Sequence, residues 1–86
     1  MANTPHQLAD EFPEHVGRIR QLQEADGHFR RIADVYDVVN RAIHRAEADI
    51  EPADDFRMTD MRKERMRLKD EIYGMLTRPE AVEDLP

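Results

Sequence analysis

The sequence predicts an all-α chain: a long antiparallel, coiled-coil-like helical hairpin preceded by a short N-terminal helix. Three observations predict it. Phe29, Ile32, Tyr36, Val39, Ile43, Ala46 and Ile50 follow one another at spacings of 3, 4, 3, 4, 3 and 4, a heptad seam held for three repeats. After Pro52 the alternation resumes with Met58, Met61, Leu68, Ile72 and Met75, and Arg65 fills the one seam position that is not apolar. The 86 residues include only three Gly and are 37% charged and 6% aromatic, a composition suited to long helices and short of the large side chains that fill a sphere. One domain is the most that this length supports.

Taken in chain order, Thr4 and Pro5 read as a cap and first helical residue for a short turn of helix over residues 6–11, within an N-terminal segment of residues 1–12. Pro13 starts a new helix, with Glu14 where the helix dipole favours a negative charge, and that helix is expected over residues 13–24. Asp26 offers a cap and Gly27 a break. The hairpin helices are expected over residues 27–51 and 55–78, joined by a polar loop in which Asp54 or Asp55 caps the second. At about 36 Å each by helix rise, two helices of near-equal length with a short connection fold back on each other. Residues 13–78 thus form a single helical domain, and the acidic tail of residues 79–86, without periodicity, is expected to be disordered.

Much chemistry is absent from the chain. It has no Cys, Ser or Trp, which removes thiol and serine nucleophiles, disulfides and Cys-based zinc sites. His44 with Glu47 and Glu51 is the nearest approach to a ligand set, and a metal needs three or four converging donors, so no metal or cofactor is expected. Asp70 and Glu71 stand together but on the side of the helix away from the apolar stripe, where a convex rod offers no catalytic cleft. With no Gly-rich phosphate loop either, the chain is not expected to be an enzyme. The first ten residues carry neither a basic start nor an apolar run, and no eighteen apolar residues are consecutive, so neither a secretory leader nor a membrane span is expected.

Glu11-Phe12-Pro13-Glu14, Asp26 with His28-Phe29, and the string Arg65-Met66-Arg67-Leu68-Lys69-Asp70-Glu71-Ile72-Tyr73 resemble the YdcH-like family of small bacterial proteins, a domain of unknown function. Met66 stands where that pattern usually has Leu, a swap of similar volume. The resemblance spans residues 6–76 and implies a helical hairpin in a cytoplasmic setting. It brings no catalytic or ligand-binding residue with it.

Function is then read from surfaces. Residues 62–69 hold five basic side chains and one acid, against a net charge of −6 for the chain. Lys63 and Arg67 share the outer face and are the alternative nucleic-acid contacts. Arg62, Arg65 and Lys69 fall in the apolar sector, where they suit pairing with acids on a neighbouring helix rather than a phosphate strip. Arg65 in particular is expected to pair with Glu47, and Arg65→Leu to raise thermal stability while broadening the range of assembled states. Val35, Val38 and Ala42 widen the first stripe, and Met66, Tyr73 and Leu76 the second, beyond what two helices hide from water. The first helix offers only Val16, Ile19 and Leu22, with Phe12 beside it, so the stripes are expected to dock a second copy, as dimer or tetramer, or a helical protein partner.

Overall fold

The computed structural model describes residues 6–48 and 54–78. It is elongated, 51 × 29 × 20 Å, and among the described residues all regular structure is helical. A one-turn helix α1 (Leu8–Glu11) leads through a 3-10 turn (Pro13–His15) into α2 (Val16–Ala25), followed by the long helices α3 (Gly27–Glu47) and α4 (Asp55–Thr77). The expected cap at Thr4 and Pro5, the seam residue Ile50, the breaks at Pro52 and Pro79 and the acidic tail lie outside the described residues.

Local chemistry explains each boundary. Phe12 leaves the helical region (φ −129°, ψ 62°), as Pro13 disfavours an α conformation in the residue before it, so α1 stops there and the helix predicted from residue 13 begins instead as a 3-10 turn. The break between α2 and α3 falls on Asp26 rather than Gly27: Asp26 is extended, and its carboxylate accepts from the backbone N–H of His28 (3.0 Å) and Phe29 (3.1 Å). Gly27 is already the first residue of α3. From α3, Arg30 reaches back to donate to the carbonyls of Gln23 (2.8 Å) and Glu24 (3.4 Å), which the end of α2 leaves open. α3 ends at Glu47, four residues before the expected end, with His44 and Arg45 in its last turn where the dipole favours cations. Asp54, one of the two expected caps, accepts from Arg57 N–H at 2.8 Å.

α3 and α4 pack along their length, and their cross-contacts run in descending order: Glu47 meets Arg62, Asn40 meets Arg65, and His28 meets Glu71. Phe29, Ile32, Ala33 and Tyr36 of α3 join Leu68, Ile72, Met75 and Leu76 of α4 in one buried cluster. Phe12, Ile19 and Leu22 complete it, so the N-terminal segment lies on its own helix pair, although Val16 stays exposed.

The expected Arg65–Glu47 pair does not form. Arg62, one turn nearer the connection, takes Glu47 at 2.9 Å, and Arg65 instead donates to the side-chain oxygen of Asn40 at 2.9 Å. Asn40 is 1% exposed, and a buried amide oxygen without a donor is more costly than a rim carboxylate left in water.

A polar latch fixes the N-terminal segment to the pair. Tyr36 Oη donates to the carbonyl of His6 at 2.7 Å, and His6 holds the left-handed φ of 63°. Glu11 accepts from Lys69 of α4 and pairs with His6 Nδ1 at 2.9 Å, while Phe12 stacks on Tyr73 at 5.8 Å. The hydrogen bond from Lys69, then that from His6, hold the Glu11 carboxyl below its ordinary value. Burial, assisted by the charge of Glu11, pushes the Tyr36 phenol up to about 12. A carboxyl lowered on folding contributes stability above its ordinary value of 4.5, and that contribution is lost as pH falls through the lowered value. Glu11→Gln should therefore cost about 1 kcal/mol or less at pH 7, and the gap between the two thermal midpoints should narrow toward pH 3. A gap that stays constant over that range would remove Glu11 from the latch.

Candidate functional site

α3 carries two stripes. Phe29, Ala33, Tyr36, Asn40 and Ile43 are buried and form the inner one, with Ile32 beside it. Arg31, Val35, Val38, Ala42 and Arg45, spaced 4, 3, 4 and 3, form the outer one. At the helical repeat of about 100° per residue, this outer strip shares its flank with His28, Val39 and Ala46. His28 faces Glu71 of α4 (3.8 Å), whereas Glu11 and Phe12 sit on the other flank of α4 through Lys69 and Tyr73. The N-terminal segment leaves the strip itself uncovered, although a cleft between that segment and α3 reaches Asp34 at the strip's border. Val38 is 65% and Val35 41% exposed, and Val39, Ala42 and Ala46 are half-buried around them. Phe56, Met66 and Tyr73 are further exposed apolar side chains, scattered along α4.

The residues singled out for the seam separate into layers. Phe29, Ile32, Tyr36, Ile43, Leu68, Ile72 and Met75 are buried; Val39, Met58, Met61 and Arg65 are half-buried. Asn40, which the sequence reading passed over, lies deeper than Val39. Its signal was available: it stands four residues after Tyr36 and three before Ile43, the same spacing as the apolar set. The Glu11–Lys69 pair had no such signal, since the two are 58 residues apart.

The basic run is largely committed to protein carboxylates and amides. Arg62 pairs with Glu47, Arg65 with Asn40 and Lys69 with Glu11. Arg67 lies between Glu64 (2.6 Å) and Glu71 (3.8 Å), and its guanidinium holds the Glu64 carboxyl below the usual range. Lys63 is exposed beside it. Two acids around Arg67 leave little net positive field on the face expected for phosphates.

A cleft of about 340 Å³ opens between the N-terminal segment and α3, lined in part by Gln7, Leu8, Ile19, Gln23, Asp34 and Asp37. It brings two carboxylates near two amides and the Tyr36 phenol, whose hydroxyl is given to the His6 carbonyl, with no histidine among its walls. Among the described residues no three His, Cys, Asp or Glu side chains converge as for a metal ion, and no helix is long and apolar enough to cross a membrane. In comparisons with known proteins, the family described as "Protein of unknown function (DUF465)" matches residues 29–76, from the first buried turn of α3 to the last of α4. No curated protein and no solved structure matches.

Proposed function

Because the chain belongs to DUF465, a family of unknown function that includes the YdcH-like proteins, its role has to be argued from its own surface, and we propose that it is a non-enzymatic interaction module that self-associates. Its working unit is an antiparallel hairpin of α3 and α4, a reading supported by the descending order of their cross-contacts. The observation that carries the proposal is the exposure of Val35 and Val38 at the centre of a heptad-spaced strip whose neighbours are half-buried. The N-terminal segment, expected to compete for such surface, packs into the core cluster through Phe12, Ile19 and Leu22 and leaves this strip open. A cytoplasmic setting belongs to the same proposal and suits a chain without Cys.

Sedimentation equilibrium at tens of micromolar tests it. The wild type should give a mass above 10.1 kDa, and Val38→Asp should return it to that value with its helical content unchanged. Reversing Lys63 and Arg67 to Glu should leave the mass as in the wild type. A wild-type chain that sediments as a monomer would sink the proposal, and tight, salt-sensitive nucleic-acid binding abolished by the Lys63 and Arg67 reversal would replace it with an RNA- or DNA-binding role.

A further inference from the structure

Resting on that reading of the outer strip, we infer that its occupant is a second copy of this chain, packed α3 against α3 in the antiparallel sense about a two-fold axis level with Asp37. The charges bordering the strip select this arrangement. Val35, Val38 and Ala42 make its apolar centre, Arg31 and Arg45 close its two ends at the same heptad spacing, and Asp34 and Arg41 stand along one rim.

A parallel pairing about an axis along the helices sets Arg31 on Arg31 and Arg45 on Arg45, and turns the rim of Asp34 and Arg41 toward the opposite rim of the copy, where Ile32, Val39 and Ala46 offer those charges no partner. The antiparallel pairing gives Asp34 and Arg41 opposite-charge partners. A two-fold axis lying in the interface and perpendicular to the helices carries each rim onto itself, so Asp34 of one chain comes beside Arg41 of the other, twice per dimer. The same axis seats Val35 on Val38 of the copy, also twice. Arg31 then lies level with Ala42 and Arg45 of the copy, and the small Ala42 side chain leaves room for both arginine stems to run outward, apart from each other, to water.

The two rim charges are accessible to a copy. Asp34, Val38 and Arg41 are exposed, and Arg41 already binds Asp37 four residues before it at 2.6 Å. A guanidinium has five donors, enough to hold Asp37 and receive Asp34 of the copy together. A contact made by one pair of helices is smaller than a standard interface, so association in the micromolar range is the expected strength.

The test uses two single charge reversals and their mixture, read by sedimentation equilibrium, with circular dichroism confirming helicity. Asp34→Arg gives a chain whose own pairing sets the introduced guanidinium against Arg41 of the copy, and Arg41→Asp one that sets Asp34 against the introduced carboxylate. Each should raise its dissociation constant about tenfold or more, because the like-charge contact occurs twice. Mixed in equal amounts, the two variants can form a mixed dimer in place of two self-repelling homodimers. In the mixed dimer one contact joins the introduced guanidinium of the first variant to the introduced carboxylate of the second, and the other joins Asp34 of the second to Arg41 of the first. Both are opposite-charge pairs, so a heterodimer of near wild-type affinity should form. Reversals that leave a wild-type dimer unaffected, or a mixture that stays monomeric, would overturn the antiparallel pairing while leaving self-association standing. A wild-type chain that is monomeric alongside Val38→Asp would overturn both.

Discussion

Replacing Ile72 with Asp is expected to unfold most of the chain at room temperature. Ile72 is fully buried where α3, α4 and the N-terminal segment meet, in one cluster with Phe12, Leu22, Phe29 and Tyr36. Losing its burial forfeits about 1.5–3 kcal/mol, and a carboxylate left there without a partner adds several more. A single small domain has only about 5–15 kcal/mol in total, so the sum takes most of it. Far-UV circular dichroism and a thermal melt read the result. Two controls give the prediction its content. Ile72→Val should cost only about 0.5–1.5 kcal/mol and keep a cooperative melt. Val38→Asp, the same change of chemistry on the outer strip of α3, should move stability by less than about 0.5 kcal/mol at concentrations too low for copies to associate, because its carboxylate stays in water. An Ile72→Asp chain that melts within a few degrees of the wild type would mean that α4 does not close over the core as described.

The difference between those two positions also marks how far the sequence can be read. Heptad spacing identifies Phe29, Tyr36, Ile43, Leu68, Ile72 and Met75 as inward-facing because a 3.6-residue repeat puts every third or fourth residue on one side, whatever the partner is. Capping at Asp26 and Asp54 was legible for a similar reason, since an aspartate at a helix start satisfies N–H groups only two or three residues away. Contacts between segments follow no such local rule. Nothing in the residues around Glu11 says that it will meet Lys69, nor that Tyr36 will donate to the carbonyl of His6. Both depend on where the turn at Phe12 and Pro13 sends the chain. The wide stripe on α3 was legible as too broad for one partner, but which half the N-terminal segment would cover was not. That choice leaves Val35 and Val38 in solvent, and with them the surface on which the function is argued.

The Asn40–Arg65 hydrogen bond reverses an expectation that the sequence alone supports. With Arg65 read as a lone cation in an apolar seam, Arg65→Leu should raise stability. Once Asn40 is seen to be buried and to receive the Arg65 guanidinium at 2.9 Å, the same change leaves an amide oxygen in the core without that donor. Arg65→Leu is therefore expected to lower stability by about 1–3 kcal/mol, the usual cost of taking a donor from a buried polar group. Asn40→Leu should cost less, because Arg65 is only half-buried and its flexible stem can carry the charge out to water. The double change Asn40→Leu/Arg65→Leu replaces both polar groups with apolar ones and should recover most of the loss, as replacements of buried polar pairs often do. Denaturant melts of the four proteins close a double-mutant cycle, in which a coupling of about 1–2 kcal/mol is expected. Additive single effects would show that the bond contributes nothing beyond its two side chains. A coupled cycle instead makes Asn40 and Arg65 the polar lock inside an apolar seam, where a shift of α4 by one turn past α3 would bring the guanidinium against apolar side chains and part the amide from its donor.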